Sequence, residues 1–274
     1  MLEFRKFTVN DWKEFNELTN EAFAREGIVK EGYLNTIDDG GFIGAFADNK
    51  LIGYLRLFIH GDYGHLGQIA VEKLERGKGH GNKLMEHALS YFHSKKIGEV
   101  GLYVETKNHI AISLYEKYGF EKQFESWHYW INEEEYKQIE EKNIGTESSE
   151  LRVLTAEDIN TIISTFPNIN REELSSHLND EQKVGLTGVS SIPLGLFVNG
   201  ELKIYGRLNP EFPGCRPFLV SDTVYFDEFI IKMKEYNKKN YIRLTFDRDN
   251  SLSMFLTERG YKLWHHLWFM KRKG

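Results

Sequence analysis

The chain has little cysteine, no long apolar run and no excess of basic residues among its 274 positions. Its single cysteine, Cys215, excludes a disulfide within the chain, and the prolines near it are typical of a turn rather than of a nucleophile site. No apolar run approaches the roughly 18 residues of a membrane span, and residues 1–6 carry charge where a signal peptide would be apolar. We therefore expect a soluble, cytoplasmic protein with no membrane partner.

Charge and composition also narrow the classes of function. The formal net charge is −6, whereas a nucleic-acid-binding protein needs a concentrated basic surface, so we expect no nucleic-acid partner. Neighbouring residues of a strand point to opposite faces, so His265 and His266 do not make a metal site, and we expect no metal. Hydrophobic residues make up 41% of the chain, enough for well-buried cores in two domains of ordinary size.

A glycine-rich turn between a predicted strand and a predicted helix is the most informative motif. Gly77, Gly79 and Gly81 alternate there, so several backbone N–H groups can converge on one anion without obstruction by Cβ atoms. The helix adds the positive end of its dipole, and Arg76 adds a fork of donors. The pattern predicts a phosphate-binding turn, although by itself it also fits a flexible loop without a ligand.

Two other phosphate-binding motifs do not fit this turn. The Walker motif needs Gly-Lys followed by Ser or Thr, and the dinucleotide fingerprint needs Gly-x-Gly-x-x-Gly. The spacing Arg76-x-x-Gly79-x-Gly81 instead resembles the coenzyme A pyrophosphate loop of the GNAT N-acetyltransferase superfamily. Residues 104–108 (VETKN) and 111–120 (AISLYEKYGF) resemble a later strand and helix of that family, in the right order.

The resemblance covers residues 1 to about 140 and implies acetyl-coenzyme A as a cosubstrate. The pantetheine arm would pair with the strand backbone, and the pyrophosphate would lie on the glycine turn. An isolated strand glycine predicts either a bulge that opens the cleft or a packed crossing, and Gly67 is such a residue. The residues that the resemblance assigns to coenzyme A are Ile69, Ala70, Val71, Arg76, Gly77, Lys78, Gly79, His80, Gly81, Asn82, Asn108 and Tyr115.

The resemblance also implies residues for acyl transfer, which needs a deprotonated amine and a proton donor for the departing thiolate. Tyr115 matches the family's donor, although its helical stripe also fits a core position. Asn108 would hold the pantetheine or cap the helix that follows. His65 lies where histone-type members carry a glutamate base, and it could equally be a structural histidine. Glu105 and a water chain are the alternative bases.

The chain repeats itself after a polar segment. Residues 5–11 (RKFTVND) return as residues 152–158 (RVLTAED), and residues 114–120 align without gaps on residues 255–261. Between these segments each copy also contains a strand, a turn and a second strand, and this hairpin pattern is the same in both copies. These matches predict a tandem repeat of one fold.

The second copy lacks the chemistry of the first. Residues 219–228 stand where the first copy has its glycine-rich turn, and they contain no glycine. Leu256 stands in place of Tyr115. The alignment still places Trp127 on Trp268, so the scaffold is retained. We expect one coenzyme A per chain.

We predict an α/β protein of two tandem GNAT-like domains, each a mixed, largely antiparallel sheet flanked by helices. The first domain is assigned to residues 1–142, a linker to residues 143–149, and a degenerate domain with an acceptor-site or structural role to residues 150–274. The predicted function is direct transfer of the acetyl group to a primary amine of a small molecule or peptide, in a ternary complex. A non-catalytic acyl-coenzyme A sensor or interaction module is the alternative. The sequence leaves open the acceptor, the acyl chain length, and whether the chain is a monomer with an internal pseudo-dimer or a homodimer.

Overall fold

The computed structural model describes residues 2–23, 29–141, 149–178, 191–211 and 214–273. The strands are β1 (Glu3–Lys6), β2 (Phe42–Ala47), β3 (Lys50–His60), β4 (Tyr63–Val71), β5 (Glu99–Glu105), β6 (Glu121–Ile131), β7 (Ser149–Val153), β8 (Ile192–Val198), β9 (Glu201–Asn209), β10 (Gly214–Val220), β11 (Ile242–Asp247) and β12 (Lys262–Lys273). The helices are α1 (Trp12–Phe23), α2 (Lys30–Leu34), α3 (His80–Ser94), α4 (His109–Lys117), α5 (Glu133–Glu141), α6 (Ile159–Thr165), α7 (Arg171–Leu178), α8 (Phe226–Met233) and α9 (Asn250–Glu258). The predicted linker lies outside the described residues except for Ser149, which begins β7.

Contacts between these elements divide the chain into two compact units. Unit 1 comprises Met1–Phe124 and Leu267–Gly274, and unit 2 comprises Glu125–His266. These bounds differ from the domains 1–142 and 150–274 that the repeat predicts.

Two strands account for the difference, because a strand belongs to the sheet with which it forms hydrogen bonds. Residues 126–131 of β6 pair with β11 in unit 2, although β6 begins in unit 1. Residues 267–273 of β12 pair with β5 in unit 1, although β12 begins in unit 2. Each sheet is therefore completed by a strand that starts in the other unit.

The sheet of unit 1 has the order β1-β2-β3-β4-β5-β12. Its neighbours are antiparallel except β4 and β5, which are parallel. One face packs against α3 and α4, and the other packs against α1 and α2. α3 forms because apolar residues recur at helical spacing along it; the buried ones are Leu84, Met85, Ala88 and Phe92.

The sheet of unit 2 has the corresponding order β7-β8-β9-β10-β11-β6, with β10 and β11 parallel and the other neighbours antiparallel. Residues of α8 and α9 pack on one face, and residues of α6 and α7 pack on the other. The predicted fold class, a tandem α/β arrangement of mixed and largely antiparallel sheets, is confirmed.

The start of each repeat contains the same ion pair. Arg5 lies 2.8 Å from Asp11, and Arg152 lies 2.6 Å from Asp158. The hydrogen bond from each arginine holds the pKa of its aspartate below the usual range. In both units the aspartate also completes a capping box with a threonine, so it fixes the start of the first helix.

The end of each repeat has the same strand register. Trp268 of β12 lies opposite Val104 of β5, and Trp127 of β6 lies opposite Phe246 of β11. The alignment of the two tryptophans is therefore reproduced in space, which supports a true structural repeat.

Candidate active site in unit 1

The glycine turn joins β4 to α3 and exposes backbone donors. Gly77 has φ +78° and Gly79 has φ +83°, in the left-handed region that side chains disfavour. A Cβ atom at either position would meet no neighbouring atom, so the space beside the turn is open. α3 begins at His80, and the first N–H groups of a helix have no intrahelical acceptor. The turn can therefore present N–H groups and a helix dipole to an anion.

Two protein acceptors hold the Arg76 side chain beside this turn. Its Nε donates to the carbonyl oxygen of Val71 at 3.0 Å, and its Nη2 lies 2.8 Å from both carboxylate oxygens of Glu21 on α1. Part of the predicted fork of donors is therefore already engaged, and an anion in the turn would compete with Glu21. The contact with Glu21 could not be predicted from local sequence, because Glu21 lies 55 positions from Arg76.

Glu75 contacts the side chains of Lys78 and His80 in the turn. It accepts a hydrogen bond from Lys78 at 3.0 Å and lies 3.2 Å from Nε2 of His80. The hydrogen bond from Lys78 holds the pKa of Glu75 below its usual range. Lys78, which the resemblance assigns to the cofactor together with His80, thus counters a carboxylate that would otherwise repel a phosphate.

Asn82 connects the two helices that flank the turn. Its Oδ1 accepts a hydrogen bond from Lys117 at 2.6 Å, and its carbonyl oxygen accepts one from the Tyr118 hydroxyl at 3.2 Å. Its backbone N–H donates to the Gly79 carbonyl at 3.1 Å. The residue therefore fixes the start of α3 against α4, in addition to its predicted contact with the cofactor.

β4 carries a bulge at Gly67, as one of the two sequence alternatives predicts. The register with β3 skips Gly67, and a Cβ atom there would lie 2.5 Å from the Phe58 ring. Parallel pairing with β5 ends where Leu66 lies opposite Leu102, although both strands continue. Beyond this point the two strands are no longer joined by the ladder, which leaves an opening between them.

Ile69, Ala70 and Val71 lie on the open stretch of β4. Within the described residues their register partners are on β3 alone. A strand edge of this kind offers N–H and C=O groups to an extended ligand. The side chains of Ile69 and Val71 pack on the α3 face, whereas Ala70 packs on the α1 face.

The two candidate bases lie on one face of the sheet. Gly64 and Leu66 face α3, so alternation turns His65 to the α1 face. Val104 likewise packs on the α3 face, so the exposed Glu105 shares the face of His65. The His65 ring lies among aromatic rings, with the centroids of Phe58, Tyr63 and Tyr103 6.0 to 6.4 Å away.

Tyr115 lies on the opposite face, in the core formed with α3. Tyr115 is only 6% exposed, and its ring centroid lies 6.0 Å from that of Phe120. Burial raises the pKa of the Tyr115 hydroxyl, so the group keeps its proton at neutral pH. Asn108 caps α4, because its Oδ1 accepts the Ala111 N–H at 3.1 Å. The capping alternative is thus present in the structure.

Three side chains form a hydrogen-bonded series on the α1 face that the sequence did not predict. The buried Thr19 hydroxyl donates to the Tyr54 hydroxyl at 3.2 Å, which in turn donates to Oε1 of Gln68 at 3.4 Å. Gln68 directly follows the bulge of β4. Residues from α1, β3 and β4 make this series, so no local pattern could have predicted it.

Unit 2 has no glycine turn at the equivalent place. The Asp222 side chain accepts the Val224 N–H at 3.0 Å, and Asp227 is buried in an ion pair with Arg259. The equivalent of Tyr115 is the fully buried Leu256. The geometry that could bind pyrophosphate in unit 1 is therefore replaced by capping and packing contacts.

No group of three or more His, Cys, Asp or Glu side chains among the described residues could hold a metal ion. None of the helices described is long and apolar enough to cross a membrane.

Comparison with known sequences relates the first unit to acetyltransferases. A model described as the acetyltransferase (GNAT) family matches residues 8–120. A spermidine N(1)-acetyltransferase of Thermoplasma acidophilum is 30% identical over 157 residues, which are 49% of this chain and 98% of that protein. A mycothiol acetyltransferase of Streptosporangium roseum is 39% identical over 79 residues, 26% of this chain and 23% of that protein. The chain thus spans about a quarter of the mycothiol enzyme.

Solved structures extend the similarity of fold to both units. A GCN5-related N-acetyltransferase from Sphaerobacter thermophilus has a TM-score of 0.64 at 13% identity, covering 99% of this chain and 95% of that chain. A tandem GNAT protein from the clavulanic acid biosynthesis pathway has a TM-score of 0.60 at 14% identity, covering 100% and 98%. At these identities the similarity concerns the fold alone.

Proposed function

Because the chain belongs to the acetyltransferase (GNAT) family, we propose that it transfers the acetyl group of acetyl-coenzyme A to a primary amine, by direct attack within a ternary complex. The observation that carries the proposal is the open edge of β4 beside the glycine turn of unit 1. An extended arm with an anionic end fits this combination, because strand backbone and convergent N–H groups bind those two parts by different contacts.

The residues divide the reaction between the two faces of the sheet. Residues 69–71 and 76–82 would hold the coenzyme, with Asn108 at the start of α4. Tyr115 would donate its proton to the leaving thiolate from the α3 face. His65 or Glu105 would accept the proton of the amine from the α1 face. Donor and base are thus on opposite sides of the opening between β4 and β5.

An amine panel with release of the coenzyme A thiol as the readout tests the proposal. Spermidine belongs in the panel because a relative matched over 98% of its length carries that substrate in its name; amino acids, peptide N-termini and aminoglycosides complete it. We expect thiol release with at least one amine. Tight coenzyme binding with no release from any acceptor would favour the sensor alternative.

Replacing Gly79 by valine should weaken acetyl-coenzyme A binding greatly while leaving the protein folded. Valine disfavours φ +83°, so the turn must change its backbone and lose the convergence of its N–H groups. Calorimetric titration measures the effect. Gly200→Val is the matched control, since Gly200 has φ +80° in the β8–β9 turn of unit 2. Equal affinities in both variants would contradict the assignment of the turn.

The pH profile of kcat/KM should identify the base. If His65 accepts the proton, the rate rises with pH through an apparent pKa, and His65→Ala removes this ascending limb while Glu105→Gln retains it. The reverse result assigns the base to Glu105. An unchanged profile in both variants would support a water chain. The acceptor-site or structural role of the second domain stays a prediction.

A further inference from the structure

Three of the buried polar atoms of unit 2 that have no hydrogen-bond partner within the described part of the chain lie on β9 and α7. They are the Tyr205 hydroxyl, Nε of Arg207 and Nδ1 of His177. Tyr205 is fully buried, with 0% of its surface exposed. A buried polar group without a hydrogen-bond partner destabilises the folded protein, so these three atoms need an explanation.

The three side chains lie on the same face of the unit 2 sheet. Tyr205 and Arg207 are two positions apart on β9, so they point to one side. Tyr205 packs in the cluster that contains Leu174 and Leu178 of α7. His177 belongs to that helix, and burial together with the Arg207 guanidinium lowers its pKa to about 4. The imidazole is therefore within electrostatic range of the arginine and is neutral at pH 7.

Unit 1 shows which hydrogen-bond partners a tyrosine at the position of Tyr205 can have. Gly44 lies opposite Tyr54 in one sheet and Gly195 lies opposite Tyr205 in the other, so the two tyrosines are equivalent. The Tyr54 hydroxyl has Thr19 and Gln68 as partners.

Both of these partners are replaced in unit 2. The repeat that aligns residue 11 with residue 158 aligns Thr19 with Phe166, which packs in the same cluster as Tyr205. The strand position that follows the bulge is Pro217, between the paired Cys215 and Phe218. Neither side chain can accept a hydrogen bond, yet the tyrosine is kept where phenylalanine would avoid the desolvation penalty.

The charges around these atoms favour an anion. Arg207 forms no ion pair within the described residues, and burial lowers its pKa. Glu173 on α7 acts electrostatically on Tyr205 and Arg207, but its side chain is 64% exposed and its Oε1 lies 3.9 Å from Nε2 of His177. Guanidinium, hydroxyl and imidazole N–H are donors that suit a carboxylate or phosphate group.

We propose that Tyr205, Arg207 and His177 form a binding site for a small oxyanion in unit 2, separate from the coenzyme site. The hydroxyl and the guanidinium donate to the anion, and His177 donates from Nδ1. The degenerate unit then has a ligand of its own, although it lacks the glycine turn.

Thermal unfolding and calorimetry with two probes, inorganic phosphate and succinate, test the site on the full chain without acetyl-coenzyme A. We expect saturable binding of at least one probe, with a rise in Tm, and the probe that binds identifies phosphate or carboxylate chemistry. Tyr205→Phe and Arg207→Gln should each weaken binding at least about tenfold, the effect of losing one good hydrogen bond to a charged group.

Tyr54→Phe is the matched control, because it removes the equivalent hydroxyl of unit 1. It should leave anion binding unchanged and lower Tm, since Tyr54 has partners, whereas Tyr205→Phe should not lower Tm in anion-free buffer. If the Arg207→Gln variant does not fold, anion binding by the Tyr205→Phe variant alone tests the proposal. Absence of saturable binding by either probe, or unchanged binding in Tyr205→Phe, would overturn the proposal.

Discussion

Replacing Tyr115 by phenylalanine should lower turnover about 10²-fold or more, the usual effect of losing a general acid, with little change in coenzyme affinity. The substitution removes only a hydroxyl and retains the ring that packs beside Phe120. The remaining enzyme must then expel a thiolate without a nearby proton. Steady-state kcat and calorimetric Kd for acetyl-coenzyme A separate these two effects.

Tyr118→Phe provides the control for this experiment. Tyr118 directly follows this helix, and its hydroxyl donates to Glu86 at 3.1 Å and to the Asn82 carbonyl oxygen at 3.2 Å, so the control removes structural contacts rather than the proposed proton donor. We expect near-normal turnover in this variant. Wild-type turnover in Tyr115→Phe would assign Tyr115 to the core alone.

Removing residues 267–274 should abolish coenzyme binding, although the glycine turn lies almost 200 positions earlier in the chain. These residues supply the strand that pairs with β5, and their loss exposes a sheet edge and part of the core. Met270 in this strand is 0% exposed. Met270→Ala should therefore cost about 2–5 kcal/mol of unfolding free energy, within the range for buried large-to-small changes.

Denaturant unfolding and coenzyme-dependent stabilisation measure both effects. Met254→Ala is a suitable control, because Met254 on α9 is 55% exposed. The sequence repeat predicts that a chain ending near residue 145 still binds acetyl-coenzyme A, whereas the pairing of β12 with β5 predicts that it does not. Normal binding by such a shortened chain would contradict the structural assignment of β12.

Features that depend on nearby residues were predictable from the sequence. The turn at Gly77 and Gly79 has positive φ, as a glycine-rich phosphate-binding turn requires. The bulge at Gly67 is one of the two alternatives that an isolated strand glycine predicts, and the alignment of the repeats places Trp127 on Trp268. Each of these rests on backbone geometry or periodicity, which neighbouring residues largely determine.

Features that depend on distant partners could not be predicted in this way. Glu21 holds Arg76 from another element, and the Tyr54 hydroxyl bonds to Thr19 and Gln68 on two others. The exchange of β6 and β12 was hidden because each strand follows its own repeat in the alignment. Only hydrogen-bond pairing reveals which sheet a strand completes.

The exchange of strands has a consequence for biosynthesis. Glu99 of β5 pairs with Lys273, so the sheet that carries the glycine turn cannot close until the residues through Lys273 have left the ribosome. Contacts of such long sequence separation slow folding and leave an open strand edge exposed meanwhile. We therefore expect gene truncations that discard the second repeat to discard β12 as well, and with it the strand that completes the sheet of unit 1.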